Sequence, residues 1–547
     1  MEKRYNLLYE PWIKVMDQRL TVSELSLIDV LRNSHKIKAL AGDTPLQNFA
    51  VERLLLAIAI TIFYKYDENG KYALLNDDEE CDFDESEEVE ELVMSRWSSY
   101  YKLGKFPDGI VEGYLKQFED RFWLFHPETP FYQVPSSVLI NDKKYGTEYS
   151  TKCMLGNIKE SNNKSTKYHF SMASGKNLED ISDAELARWL VHLMSYSVNI
   201  KKPTGIGKGR LGCLGSIKVE GNNLFNELML NLVPININGL NIALWGEPKP
   251  TWEKELNKTS GVEISPPNNL PELYTIQSRK IVLNQEDGIY KGGYVMGGGE
   301  YYSLKDDPVE QMTLWKKNKD NQIEPKTHEL FVQSWREFDP LVGVRDSVKK
   351  PGLVCWIEKI LEQNRKFLPS LVTFVFNGMH YDSNGSSYVN YTWDKISLSS
   401  EVLNDVGKDW IEIISSEIEK CEKVSKDLYE KFSNVIAKIY DLEDKQKKKI
   451  NAKLSHNFFN SIDNKFRDWL VTIEPGKTNK NDKQEEWGKI ARRIANDVVL
   501  NYIDELNLNY KICVDKKSNF LSIPYAYNKF KKELYTMYPV IDRKDSQ

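Results

Sequence analysis

From about Ser399 to the end of the chain, apolar residues recur at helical spacing, and this constrains the fold more than any other feature. Ile411, Ile414, Ile418, Cys421, Leu428, Phe432, Val435 and Ile439 form one such row. Phe459, Ile462, Phe466, Trp469 and Ile473 form a second, and Trp487, Ile490, Ile494, Val498 and Tyr502 a third. A final apolar stretch runs from Phe520 to Tyr538. A one-sided apolar stripe must be buried against a partner, and four such stripes joined by short loops bury one another. The spacing therefore predicts an antiparallel four-helix bundle over 399–547. Glu474-Pro475-Gly476 marks a loop between the second and third helices. The rows contain no Glu-x-x-His, which argues against a di-iron centre in the bundle.

The first 398 residues read differently. Leu46–Tyr64 is apolar along most of its length and is expected to be a buried core helix. Its most apolar run, Leu54–Phe63, is too short to span a bilayer. Ser182 and Glu185 have capping-box spacing and open a helix over Asp183–Ser197. Strands are expected near Tyr5–Tyr9 and at Ser216–Gly221, followed by a helix over Gly221–Val233. Tyr274–Leu283 and Gly288–Gly297 read as paired strands, with further extended segments at Glu329–Trp335 and Leu371–Gly378. No βαβ rhythm or internal repeat is evident. The fold class is α+β, with a large mixed α/β N-terminal domain (1–398) followed by the C-terminal antiparallel four-helix bundle (399–547).

The chain has 547 residues and a net charge of −6, so bulk charge does not coat nucleic acid. Any such contact must be a local basic patch or be completed by partner subunits. The six cysteines are scattered without C-x-x-C spacing, the seven histidines are isolated, and no H-E-x-x-H or G-x-S-x-G occurs. These patterns point to reduced thiols, no metal and no cofactor, and leave open an enzyme that uses scattered carboxylates. The N-terminus carries no apolar signal core. The expectation is a cytoplasmic protein with no membrane segment.

One short stretch stands out. Lys201–Gly215, KKPTGIGKGRLGCLG, holds five glycines and four basic residues. Gly207–Gly212 satisfies G-x-G-x-x-G, but a helix precedes it and a strand follows, the reverse of a dinucleotide-binding turn. A P-loop fails as well, because Lys208 is followed by Gly209. Two readings remain. The segment is either a mobile glycine turn, or a place where bare backbone and Lys201, Lys202, Lys208 and Arg210 approach a polyanion. Asn384-Gly385 is in its own right a strong hairpin-turn signal. Ser136–Ser174 is long, polar and rich in Asn, Lys and Ser, either disordered or a functional loop.

Several segments taken in order resemble one family along nearly the whole chain. They are YNLLYEPWIKV (5–15), LAGDTPLQNFAVERLLLAIA (40–59), FHPETPFYQV (125–134), LARWLVHL (186–193), the glycine segment, YTIQSRKIVL (274–283) and the C-terminal bundle. Together they look like CasA, the large subunit of the type I-E CRISPR Cascade surveillance complex. The resemblance implies a non-enzymatic subunit that works with CRISPR RNA and other Cascade subunits. It would recognise the protospacer-adjacent motif (PAM) of target double-stranded DNA through the minor groove, help open the duplex, and recruit a helicase–nuclease. Its glycine loop would fall within Gly205–Gly212, with Gly205, Gly207, Lys208, Gly209 and Arg210 at the DNA. Its wedge would fall at Asn384, Gly385 and Ser386. Its lysine finger would be Lys291, with Lys305 second. Asn162, Asn163 and Lys164 would lie in the loop that meets the guide RNA and the backbone subunits. The chain lacks the cysteine group of some relatives, and its Asn-Gly-Ser wedge replaces a longer amide side chain. The competing readings are a structural scaffold with an inert glycine turn, and an enzyme using scattered carboxylates.

Overall fold

The computed structural model describes residues 3–74, 86–139, 146–156, 181–199, 207–237, 242–259, 261–305, 307, 309–345, 348–505, 512–514 and 520–539. The chain divides into two compact units. One comprises Met1–Val332, Pro340–Phe367 and Phe374–Lys395; the other comprises Gln333–Asp339, Leu368–Thr373 and Ile396–Gln547.

The first unit is built around the helix Pro45–Lys65. Thr44 caps it by accepting from the Gln47 amide, and Pro45 occupies its first turn, where a missing N–H costs nothing. The helix is 21 residues long, longer than the apolar run in the sequence and long enough to cross a bilayer. Here it is packed inside protein along nearly its whole length. Even Glu52 and Arg53 are buried, each with opposite charges: Glu52 with Lys218, and Arg53 in a two-pronged bond of 2.9 Å per arm to Glu310. The helix Asp183–Tyr196 packs beside it. Ser182 accepts from the Glu185 amide at 3.1 Å, the half of the expected capping box that satisfies a helix N–H.

Two small sheets carry the rest of the site. In the first, the order is Tyr388–Ser399, Leu371–Tyr381, Ser216–Val219, with Phe374 opposite Val219 and Asn377 opposite Ser216. In the second, Arg279–Glu286 and Ile289–Gly298 form a hairpin, with Thr147–Tyr149 added beyond Ile289–Gly298. The expected strand from Tyr274 starts only at Arg279. Asn269 caps a helix over Leu270–Thr275, with Pro271 in its first turn. The N-terminal strand is likewise shorter than expected, Arg4–Asn6.

In the second unit, Lys408–Lys423 and Tyr429–Tyr440 join through a π turn, Val424–Leu428, into one rod. Asp444–Val471, Lys480–Glu505 and Ile523–Met537 complete the set. Tyr429–Tyr440 packs on both Asp444–Val471 and Ile523–Met537, and Lys480–Glu505 packs on those same two, so the contacts close a ring of four. The extended segment expected at Glu329–Trp335 is absent. Ser334–Glu337 is a short 3-10 turn instead, because Trp335 is drawn into this unit. Its ring stacks on Phe466 at 4.3 Å and its indole N–H donates to Asp463 at 2.8 Å.

Candidate nucleic-acid interface

The helix Asp183–Tyr196 ends where Ser197 donates back to the Leu193 carbonyl. Two residues later Asn199 reaches a segment far away in sequence. Its backbone N–H donates to Gly385 O at 2.8 Å, and its side-chain amide donates to Asn384 O at 2.7 Å. The same side chain lies 3.8 Å from where a Cβ on Gly207 would stand. Asn199 therefore brings the glycine segment and the Asn384-Gly385 turn together, although almost two hundred residues separate them.

The turn itself is larger than a two-residue Asn-Gly hairpin. Gly385 N donates to Asp382 O at 2.9 Å, and Asp382 N donates to Ser387 O at 3.0 Å. Ser383 and Asn384 thus occupy the centre of a turn that Gly385 closes, with φ +67°. Asp382 accepts from both the amide and the hydroxyl of Ser386, at 2.6 and 2.8 Å. The Ser386 hydroxyl is spent inside the loop, and Asn384 is left exposed at the tip.

The glycines of the basic segment have separate jobs. Gly207 is exposed, and a Cβ there would be in open contact. A Cβ on Gly209 would stand 2.6 Å from Ser195 O and 2.7 Å from Ser197 N. One on Gly212 would strike the Tyr381 hydroxyl, and one on Gly215 the Lys326 carbonyl. These three glycines exist for close packing, whereas Gly207, among the described glycines of the segment, presents bare backbone outward. Tyr381 in turn donates to Tyr196 O at 2.7 Å, and the Lys208 ammonium sits 4.4 Å from its ring centre.

Arg210 is not a solvent-facing cation, contrary to the role expected for it. Its side chain is only 11% exposed and is ion-paired to Asp307 at 2.8 Å and Glu310 at 3.4 Å. Tyr302 lies against it and donates to Asp307 at 2.9 Å. Since Glu310 also holds Arg53, Arg210 anchors the segment to the core helix. A second anchor is the fully buried Arg279, which donates to the carbonyls of Val198, Gly207 and Ser278. Burial pulls this guanidinium down to about 10. A cavity of about 240 Å³ opens beside the segment, lined by Gly207, Lys208, Ser278, Tyr301 and Leu304 among others.

A family model for CRISPR-associated protein Cse1 matches residues 6–498. The chain belongs to the Cse1 family. A CasA/Cse1 protein of Thermus thermophilus is 25% identical over 349 residues, 62% of this chain and 60% of that relative, so the match spans three-fifths of the relative's length. The solved structure of Thermobifida fusca Cse1 superposes with a TM-score of 0.75 at 24% identity, covering 99% of both chains. That of Thermus thermophilus CasA (Cse1) gives 0.71 at 17%, covering 99% and 100%. A chain from a structure described as a CRISPR RNA-guided surveillance complex gives 0.69 at 14%, covering 98% and 100%. These superpositions show that the Cse1 fold extends over the whole chain.

Within that fold Lys291 is not brought to the Asn199 cluster. It lies on the strand Ile289–Gly298, seven residues from Gly298, the partner of Arg279, and so roughly 20 Å along the strand. There it pairs with Glu286 at 3.2 Å and borders a different cavity, of about 350 Å³, with His126 and Asn284. Lys305 directly follows Leu304 of the cavity beside Gly207; it is exposed and donates to Gln322 at 2.9 Å. Gly205, with Lys201 and Lys202, and the expected guide-RNA positions Asn162, Asn163 and Lys164 lie outside the described residues. Sequence reasoning missed Asn199, Arg279 and Tyr381. Only Arg279 left a trace, as the first of two basic residues, Arg279-Lys280, that open the apolar run Ile281-Val282-Leu283.

Proposed function

We propose that this chain is the large subunit of a cytoplasmic type I-E Cascade, where it recognises the PAM in duplex DNA and helps open the duplex. The observation that carries this reading is the junction at Asn199. An exposed backbone segment with a lysine, Gly207-Lys208, and an exposed amide tip, Asn384, meet at one residue, Asn199. Bare backbone suits the narrow minor groove, where the base code is sparse and width and a few donors decide. A small tip inserted at the first base pair costs about a few kcal/mol of unstacking. Guide pairing then supplies the sequence specificity, so the protein need read only a short motif. Lys208 adjoins Gly207 in that segment, and Lys305, next to Leu304 of the cavity beside it, is better placed than Lys291 for a lysine finger. Arg210 holds the segment in shape. Asn162, Asn163 and Lys164 are proposed to contact the guide RNA and the backbone subunits. In this reading the subunit recruits a separate helicase–nuclease and does no chemistry itself.

The test is reconstitution with Cascade backbone subunits and a guide RNA, followed by binding to matched duplexes that differ only in the flanking bases. Wild type should discriminate among flanks, and Gly207→Asp and Asn384→Ala should each lose that discrimination while the assembly stays intact. Binding indifferent to flank and variant alike would leave a scaffold subunit with an inert turn.

A further inference from the structure

The strand Tyr388–Ser399 rises directly from the Asn384 tip and lies at the edge of its sheet. Successive side chains on a strand face opposite sides, so residues 389, 391 and 393 share one face. All three are large and open to solvent: Val389 is 40% exposed, Tyr391 39% and Trp393 50%. Single exposed apolar residues need no explanation. Three in a row on an edge strand do, because such edges are ordinarily blunted with charge. The next position on that face is Lys395, whose ammonium lies 5.3 Å from the Trp393 ring centre and is shared with Glu220.

We propose that this row is a stacking surface for single-stranded DNA. Rings two residues apart on a strand stand about 6.8 Å apart, twice the ~3.4 Å step between stacked bases. A base entering between Tyr391 and Trp393 would therefore lie against both. Aromatic rings stack on any base, so the surface would take a strand regardless of sequence. Lys395 places a cation at the end of the row for the backbone. The proposal rests on the reading of the Asn384 tip as the element that parts the duplex. A strand released there meets Val389, then Tyr391, then Trp393, in order.

The experiment measures binding of the full chain to a fluorescein-labelled oligothymidylate, and maps cross-links from an oligothymidylate carrying 5-iodouracil. The Tyr391→Ala/Trp393→Ala variant should bind at least about tenfold more weakly, and Tyr391→Phe/Trp393→Phe should bind nearly as wild type. Cross-links should map to Tyr391 or Trp393. Unchanged oligothymidylate affinity in the alanine variant, with cross-links elsewhere, would overturn the proposal. So would an alanine variant that binds the oligonucleotide normally but no longer assembles with the Cascade subunits, which would make the row a protein interface. The flank assay on duplexes separates this from the wider reading. Flank discrimination that persists while oligothymidylate binding ignores the alanines removes only the stacking surface. Absent flank discrimination with alanine-sensitive oligothymidylate binding removes only the PAM reading.

Discussion

A methyl group added at Gly209 has no space to occupy, whereas one added at Gly207 does. Gly209→Ala should therefore lower stability by about 1–3 kcal/mol, the cost of overpacking against backbone that cannot yield. Gly207→Ala should stay within about 0.5 kcal/mol of wild type. Denaturant midpoints of the two variants decide this, and equal midpoints would mean that the close approach to Ser195 is not real. Glu310 gives a second prediction. Burial pushes its carboxyl up, but Arg53 and then Arg210 outweigh burial and hold it at about 2. A carboxylate held below its unfolded value of 4.5 contributes stability that is complete above that value and lost as pH falls toward 2. The denaturant midpoint of wild type should thus fall more steeply between pH about 5 and about 3 than that of Glu310→Gln. Parallel slopes would show that the Arg53–Glu310–Arg210 cluster does not couple to protons.

At the scale of elements, the turn 382–387 is held to the end of the helix Asp183–Tyr196 by Asn199 alone among the hydrogen bonds described for Asn384 and Gly385 outside the turn. Asn199→Ala deletes the bond to Asn384 O while leaving the backbone bond to Gly385 O. Gly385→Ala is harsher. It forces a side chain into φ +67°, at a cost of about 1–3 kcal/mol, and drives its Cβ into the Asn199 amide. Hydrogen exchange at the Asn199 and Ser386 amides should quicken modestly in the first variant and strongly in the second. No change in either would mean that the tip is held by something else. Most elements were legible because their signals are local. The four helical rows, the Pro45–Lys65 core, the Ser182 cap and the 279–298 hairpin follow from periodicity and turn chemistry. The π turn at Val424–Leu428 left no such signal. The 3-10 turn at Trp335 did not either, since it depends on Phe466 and Asp463 more than a hundred residues on. The site divides in the same way. Glycines and an Asn-Gly pair can be seen in a sequence, but composition does not tell packing glycines from an exposed one, or a buried Arg210 from a free one. Asn199 is an ordinary residue in the sequence and acquires its role only from what it touches.

For the whole molecule, the helical unit is discontinuous, because Gln333–Asp339 and Leu368–Thr373 belong to it. A fragment starting at Ser399 would lack Trp335, a fully buried ring on Phe466. Losing such a side chain costs about 3–5 kcal/mol. The 399–547 fragment should therefore keep its far-ultraviolet helical signal, show a weakened near-ultraviolet signal, and bind a hydrophobic dye; a fragment as rigid as the intact chain would contradict this. The Asn199 junction is also discontinuous in a way that matters during synthesis. Its two halves are 185 residues apart. At about 5–20 residues per second, a ribosome needs roughly 10–40 s to deliver the tip after Asn199 has emerged. For that interval the nascent chain carries its glycine segment with no hairpin to meet it. Ser216–Val219 waits a somewhat shorter time for Phe374–Asn377, its partner in the sheet. The junction is thus assembled late, so a message truncated before codon 384 would make a chain with its central helix complete and the two halves of the Asn199 junction never joined.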